Sequence, residues 1–315
     1  MSPYERLVAA VPVARRSPMI TGFKPERPWL KLGGFIALAV LFMFGATLVL
    51  TLLVRLLPGP AADLQFSEVL PDTPMRLVDE SAYMMMLALI LGTLALAILG
   101  AAAVTYRRRL TEFLWPGRRF NAWDLGVGFL AMVCVVAILF PVYLWMGAEW
   151  SPPILNPLYA DWTRPLYLMA GVVGLLIAAA GEEIVFRGVL LRLTSQVLGH
   201  PVLLCLINGV LFSAFHLDPD PVAFVARALS GAIWTWAAIR LGGLEFAVGA
   251  HLANNLMICL FGAPMSEAAE VGRDSRWIEL APEAFVAVVM LIIIERLAAG
   301  PRDWLPAQLA PRGTA

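Results

Sequence analysis

Apolar residues dominate the chain in eight long runs that are separated by short polar or basic connections. The runs cover residues 32–54, 83–104, 123–146, 166–180, 201–217, 221–239, 245–261 and 282–294. A helix needs about 20 predominantly apolar residues to cross the hydrocarbon core of a bilayer. Lipid offers no hydrogen-bond partners, so every backbone N–H and C=O inside the bilayer must be paired within the protein. Apolar runs of this length therefore form helices. The pattern predicts an all-α, polytopic membrane bundle of about eight transmembrane helices. The last run is short, so a re-entrant segment is its alternative.

The connections are too short to hold separate folded domains, and no internal repeat is visible. We therefore predict a cytoplasmic N-terminal segment at 1–31, one membrane-embedded domain at 32–295 and a cytoplasmic tail at 296–315. The first apolar run lacks a clear small-residue cleavage site, so we expect a retained anchor and not a signal peptide.

Composition and charge agree with a multi-pass protein of the cell membrane. The chain is 60% hydrophobic and 15% charged, which is too apolar for an ordinary soluble domain. Lys and Arg cluster in the N-terminal segment, at 107–119 and in the tail, whereas 63–80 and 149–161 carry mostly acids. Basic residues near membrane helices stay in the cytoplasm, so both termini are expected there. Lys plus Arg equals Asp plus Glu at 23 each, so no global charge favours nucleic acid.

Cysteine usage excludes two kinds of site. The three cysteines lie inside apolar runs and show no CxxC spacing, at Cys134, Cys205 and Cys259. Neither a disulfide framework nor a cysteine zinc site is indicated.

Two adjacent acids follow the fourth apolar run directly. Glu183 and Arg187 are four residues apart, so on a helix they face each other and can form an ion pair. Glu182 lies about 100° further round and needs another partner. Ionisable groups inside a membrane are costly and are often functional. The alternative is an idle, solvated acid pair at a helix end.

Two of the three histidines also fall within apolar runs. His216 ends the fifth run, and His251 stands four residues before Asn255, so that these two share one helix face while Asn254 is expected to point elsewhere. A hydrogen-bonded core histidine is the alternative in each case. His200 occupies a Gly-His-Pro turn and is expected to be structural. One shared cavity would satisfy all these polar groups, and it would supply the base, imidazole and neutral donors of a hydrolase.

Three short motifs occur in order on successive apolar segments. They read Glu182-Glu183-x-x-x-Arg187, Phe212-x-x-x-His216 and His251-x-x-x-Asn255. In this order they resemble the CPBP family of intramembrane proteases, which includes the type II CAAX prenyl endopeptidases and bacterial proteins tied to bacteriocin self-immunity. The resemblance covers about residues 166–263.

The resemblance implies a catalytic set and a mechanism. The set consists of Glu182, Glu183, Arg187, His216, His251 and Asn255. In it, Glu182 activates the attacking water with help from His216, while His251 and Asn255 line an oxyanion site. Glu183 and Arg187 hold the helix in place. Family members are often named metalloproteases, so a zinc site made of Glu182, His216 and His251 is an alternative. No HExxH occurs, and we favour a mechanism that requires no cofactor.

The sequence therefore predicts an intramembrane endopeptidase whose peptide or protein substrate enters from the cytoplasmic side. Two other classes stay open: a non-catalytic membrane immunity or peptide-binding protein, and a transporter whose buried charges relay protons. Two further polar residues are expected at the interfaces, with Arg227 snorkelling outward and Glu245 at an inner helix end.

Overall fold

The computed structural model describes residues 3–22, 25–56, 70–147, 151–268 and 275–300, and every regular element in these ranges is helical. Six helices are long and apolar enough to cross a membrane: Pro28–Leu52, Arg76–Tyr106, Ala122–Trp145, Thr163–Thr194, Pro221–Leu241 and Trp277–Ala298. By length and composition, the chain is a multi-pass membrane protein. Three predicted features lie outside the described residues: the Pro-rich turn at 58–60, the acids at 63–69 and the tail beyond 300.

The α-helices are numbered here in chain order. They are α1 (Pro3–Ala14), α2 (Pro18–Thr21), α3 (Pro28–Leu56), α4 (Arg76–Tyr106), α5 (Thr111–Leu114), α6 (Ala122–Trp145), α7 (Thr163–Glu183), α8 (Leu191–Thr194), α9 (Pro201–Ala214), α10 (Pro221–Leu241), α11 (Glu245–Met257), α12 (Met265–Ala268) and α13 (Leu280–Ala298). The π-helical segments Ile184–Leu190 and Ile258–Gly262 continue α7 and α11. Short 3₁₀ turns occupy Pro153–Leu155 and Trp277–Glu279.

All eight predicted apolar runs are helical, although only six meet the length and hydropathy of a membrane span. The fifth run forms α9, which has 14 residues, and the seventh forms the 13 residues of α11 with its π-helical extension. The last run is longer than its sequence indicated, because the helix from Trp277 to Ala298 has 22 residues. That length favours a span over a re-entrant segment.

Helix α11 is the most enclosed element of the bundle, since every residue from Glu245 to Ala253 is buried. Two glycines allow its close approach to α6. A Cβ at Gly249 would overlap the carbonyl oxygen of Leu125, and a Cβ at Gly128 would overlap that of Phe246. Small residues that bring helix backbones together are typical of membrane bundles.

Helices α9 and α10 form a hairpin that is equally close. A Cβ at Gly209 would overlap the carbonyl oxygen of Ala228, and Gly231 faces Gly209 directly. Asp220 caps α10 by accepting a hydrogen bond from the Val222 N–H at 2.9 Å. The hairpin fixes the end of α9, from which His216 projects.

The two ends of the bundle differ in charge. At one end, named here the basic end, the connection between α4 and α6 meets the turn before α11, where Arg118 donates to the Glu245 carboxylate at 2.9 Å. Glu245 is therefore buried in an ion pair and not solvated at an interface. The opposite, acidic end contains the start of α4, the described connections 146–147, 151–162 and 215–220, and α12. There Arg76 pairs with Glu80 at 3.1 Å and with Glu267 at 2.7 Å.

The N-terminal segment packs on the basic end through α2. The Ser17 hydroxyl donates to the Ile239 carbonyl oxygen at 2.6 Å, and Arg192 donates to the Pro18 carbonyl oxygen at 3.0 Å. Met19 is fully buried in this contact.

Candidate active site

A cavity of about 410 Å³ lies among α4, α7, α9, α10, α11 and α13. Its lining includes four of the six predicted site residues: Glu182, His216, His251 and Asn255. Glu183 and Arg187, the other two, lie behind the cavity wall and are fully buried. The three sequence motifs thus meet at one place.

Glu182 projects into the cavity between the two histidines. Its Oε2 lies 4.0 Å from the Nε2 of His216 and 3.9 Å from the Nε2 of His251. Both distances exceed a direct hydrogen bond, and they are of the size that a shared small molecule such as water bridges. The Glu182 side chain is 19% exposed, whereas that of Glu183 is at 0%.

Glu183 joins two partners inside the protein. Its Oε1 accepts a hydrogen bond from Arg187 Nη1 at 3.1 Å, as the spacing predicts, and another from His251 Nδ1 at 3.0 Å. Arg187 also donates to the Gly231 carbonyl oxygen at 2.9 Å, and its guanidinium lies 4.5 Å from the centre of the Phe212 ring. The ion pair expected from the sequence is present, and its contact with His251 is an addition that the sequence did not indicate.

The hydrogen bonds at Nδ1 define how each imidazole can act. His251 must donate from Nδ1 because the Glu183 carboxylate only accepts, and His216 donates from Nδ1 to the Phe212 carbonyl oxygen at 2.9 Å. In both rings Nε2 is left to face Glu182. The Phe212-x-x-x-His216 spacing therefore has a direct cause, since a carbonyl four residues earlier orients the ring.

Trp234 orients His251 from a second direction. The two rings stack with centroids 4.5 Å apart and an interplanar angle of 28°. No aromatic residue was predicted in the site, because an aromatic side chain in an apolar helix does not stand out from its neighbours in the sequence.

The two asparagines do not separate as the sequence predicted, because both line the cavity. The expectation that Asn254 points elsewhere is wrong. Its Nδ2 donates to Asn255 Oδ1 at 3.3 Å, which leaves the Asn255 Nδ2 as a donor for the cavity. The π-helical segment that begins at Ile258 directly follows this turn, and such segments are frequent at functional sites.

Comparison with known proteins agrees with the motifs. The family model for the type II CAAX prenyl endopeptidase Rce1-like family matches residues 164–257, which include all three motifs. A relative, an uncharacterized 24.3 kDa protein of Escherichia coli, is 32% identical over 176 residues that cover 54% of this chain and 78% of that protein. The chain belongs to the Rce1-like type II CAAX prenyl endopeptidase family.

A second family relative is the uncharacterized protein YyaK of Bacillus subtilis (strain 168), which is 28% identical over 166 residues. The match covers 49% of this chain and 53% of YyaK, so the chain spans about half the length of that relative. No solved structure matches the chain.

The Glu182, His216 and His251 set can be compared with a zinc site. Zn–N and Zn–O bonds of about 2.0 to 2.2 Å place two tetrahedral ligand atoms roughly 3.4 Å apart. Glu182 Oε2 is farther than that from both imidazole nitrogens. Within the described ranges, no group of three or more His, Cys, Asp or Glu side chains has the geometry of a metal site. A mechanism without a cofactor stays a prediction.

Sequence reasoning missed the place of two charged residues in the cavity. Arg227 reaches toward the acidic end, where its Nη1 donates to the Asp218 carboxylate at 2.6 Å, and its side chain also lines the cavity. Glu283 enters from α13 and accepts a hydrogen bond from the Tyr143 hydroxyl at 3.3 Å. The available signal for Glu283 was a carboxylate at the start of an apolar run.

The cavity extends from the middle of the bundle toward the acidic end. Arg227 is about 9 Å along α10 from Pro221, and Trp234 is about 20 Å along it. Glu283 occupies the first turn of α13, and Met265 belongs to α12, both at the acidic end. Entry of substrate from the cytoplasmic side stays a prediction, and this placement would agree with it only if the acidic end faced the cytoplasm.

Proposed function

We propose that this protein is an intramembrane endopeptidase that hydrolyses a peptide bond in a membrane-associated or peptide substrate. The observation that carries the proposal is the position of the Glu182 carboxylate, with two imidazole nitrogens within 4.0 Å, inside a cavity among apolar helices. A carboxylate base, a proton carrier and an amide donor together are the parts that water-splitting chemistry requires.

In the proposed reaction a water molecule binds beside Glu182 Oε2. Glu182 accepts a proton from it while the water oxygen forms a bond to the substrate carbonyl carbon, and the carbonyl π electrons move to oxygen. The oxyanion electrons then re-form the carbonyl, the C–N bond breaks with its electron pair on nitrogen, and the proton passes from Glu182 to the departing nitrogen with the help of His216. The products are a carboxylic acid and an amine, and the acid passes its proton to the amine to give a carboxylate and an ammonium.

The oxyanion of the tetrahedral intermediate is stabilised by Asn255 and His251. Asn255 donates from Nδ2, since its Oδ1 is engaged by Asn254. His251 already donates from Nδ1, so it can donate from Nε2 only as an imidazolium, for which the Glu183 carboxylate is the counter-ion. Preorganised donors of this kind contribute most where water is excluded.

Glu183 and Arg187 are positioning residues in this proposal. They are fully buried and act on the reaction through His251 and through the wall formed by Gly231 and Phe212.

The orientation that we propose places both termini in the cytoplasm, because the basic end carries the Arg-rich connection. The cavity then opens toward the non-cytoplasmic face. Substrate would reach Glu182 from that side of the bilayer.

The decisive experiment compares cleavage of an internally quenched peptide library by purified protein and by Glu182→Gln. Turnover should fall by at least about 100-fold, because the amide keeps the shape of the side chain but is no base. Thermal stability should stay unchanged, and Asp161→Asn, at a residue that is 89% exposed, is the matched control. Peptides with and without a prenyl group on cysteine decide whether the substrate is prenylated. A wild-type protein that binds peptides without cleaving them would instead be a non-catalytic immunity or peptide-binding protein.

Independence from metal is tested on the same preparation. Activity should survive a strong chelator, because Glu182 activates water without a metal ion in this mechanism. Loss of turnover that stoichiometric zinc restores would contradict the metal-free reaction and would make Glu182, His216 and His251 ligands.

A further inference from the structure

The proposed hydrolysis does not use Glu283, although its carboxylate lines the same cavity as Glu182. Glu283 belongs to α13 and lies outside the family-matched region 164–257. The side-chain partner that the described residues give it is the hydroxyl of Tyr143, at 3.3 Å. An ionisable residue in a membrane cavity is costly, so a carboxylate there that takes no part in catalysis is a candidate for a second function.

The other charges around the cavity have charged or ring partners. Arg227 is paired with Asp218 at 2.6 Å, and Arg187 is paired with Glu183 at 3.1 Å. Glu182 faces the two histidines. The partner of the Glu283 carboxylate is a neutral hydroxyl and not a basic side chain. A cation that entered the cavity could therefore pair with this carboxylate.

The position of Glu283 suits the head group of a long basic side chain. It stands in the first turn of α13 at the acidic end, where the helix dipole favours negative charge. Apolar side chains of the lining, such as Leu91 and Met265, can contact the methylene stem of Lys or Arg while the charge points toward the interface. Glu182 lies deeper, so the bond to be cut would lie farther from the acidic end than this side chain.

We propose that Glu283 is a specificity residue that binds a Lys or Arg side chain of the peptide substrate near the scissile bond. The inference rests on the proposed endopeptidase function, and it predicts a preference for basic substrates that the catalytic residues alone do not create.

The first test needs no variant. Purified full-length protein is given internally quenched peptides that are acetylated and amidated at their ends and differ at one position near the cleaved bond, which is Lys, Gln or Glu. The Lys peptide should show a kcat/KM about tenfold higher than the Gln peptide, and the Glu peptide should be the poorest. A Gln peptide with a free N-terminus shows whether an N-terminal ammonium serves equally. Equal cleavage of the Lys and Gln peptides overturns the role of Glu283 and leaves the endopeptidase intact.

The second test assigns the preference to Glu283. Glu283→Gln should lower kcat/KM for the Lys peptide by about tenfold and leave the Gln peptide unchanged, and Glu283→Lys should reverse the order of the Lys and Glu peptides. Glu279→Gln is the control, because Glu279 lies near the same helix end and pairs with Arg276 outside the cavity. Retention of the Lys preference in Glu283→Gln would refute the assignment.

A binding measurement separates this inference from the proposed reaction. The affinity of fluorescent Lys and Gln peptides is measured on Glu182→Gln protein with and without Glu283→Gln. If the wild-type protein cleaves no peptide but the Lys peptide binds more tightly only when Glu283 is present, the endopeptidase proposal fails and the cation site stands. Equal binding of the Lys and Gln peptides by the Glu182→Gln protein, with and without Glu283→Gln, would refute the proposed cation site.

Discussion

Glu182 and Glu183 are adjacent in sequence and both face His251, but they differ in burial and in their other partners. Consecutive helical residues point about 100° apart, so one carboxylate enters the cavity while the other enters the protein interior. Glu183 is fully buried, and the hydrogen bonds from Arg187 and His251 offset the cost of burying its charge. In the proposed mechanism Glu183 therefore has two functions, one in stability and one in orienting an imidazole.

These two functions can be separated by a double substitution. Glu183→Gln should destabilise the protein by about 3 to 5 kcal/mol, because it leaves the buried guanidinium of Arg187 uncompensated. Adding Arg187→Met should restore part of the stability. Turnover should stay low in the double variant, because a neutral amide is no counter-ion for a charged His251. Thermal unfolding in detergent and cleavage rate are the measurements.

The matched control for this series is the exposed pair of Arg108 and Glu112, which has the same spacing and the same 3.1 Å separation. Glu112→Gln alone should change stability by less than about 1 kcal/mol, as solvent screens such pairs. Recovery of both stability and turnover in the Glu183→Gln, Arg187→Met protein would mean that Glu183 acts on Arg187 alone. A stable, inactive Glu183→Gln beside an active Glu182→Gln would reverse the roles of the two acids.

At the scale of elements, the site depends on how closely helices approach and on where they change their winding. The π-helical segment Ile184–Leu190 begins directly after the two glutamates, and Ile258–Gly262 begins three residues after Asn255. The α9–α10 hairpin places His216 through glycine contacts, and α11 brings His251 to the same cavity.

Gly209→Ala tests the hairpin. An Ala in a helix interior is normally more stable than Gly by about 0.5 to 1 kcal/mol. Here the new methyl group would overlap the Ala228 carbonyl oxygen, so stability should fall by about 1 to 3 kcal/mol, and turnover should fall as His216 moves. Gly45→Ala is the control, because no atom lies within 4 Å of its added Cβ. A Gly209→Ala protein as stable and active as Gly45→Ala would show that close packing of α9 and α10 does not position His216.

At the scale of the whole molecule, the two ends of the bundle differ in charge and in the residues that they give to the candidate site. The basic end contains ion pairs such as Arg240 with Glu295 at 2.8 Å. The acidic end contains the cavity residues nearest the interface, Arg227 and Glu283. The side from which a substrate enters therefore depends on the orientation of the bundle in the bilayer.

Cysteine labelling decides this orientation. In a Cys134→Ala background, Asp161→Cys should react with a membrane-impermeant maleimide on intact cells, whereas Arg109→Cys should react only after permeabilisation. Cys134 is removed because it is the exposed native cysteine, while Cys205 and Cys259 are buried. The opposite labelling pattern would place the cavity mouth in the cytoplasm.

The sequence by itself determined the features that depend on local spacing. Runs of about 20 apolar residues specify membrane helices, and a separation of four residues specifies the Glu183–Arg187 pair, because both depend on the geometry of a single helix. The order of the three motifs was sufficient to indicate the family.

Only the tertiary structure decided which side chains meet across helices. The contact between Glu183 and His251 joins residues 68 positions apart, and the depth of the cavity and the entry of Glu283 depend on the rotation and offset of packed helices. Asn254 faces the cavity beside Asn255 for the same reason, since the packing of α11 exposes more than one stripe of its surface to the site. The period of a sequence defines the faces of a helix, but the neighbouring helices determine what each face contacts.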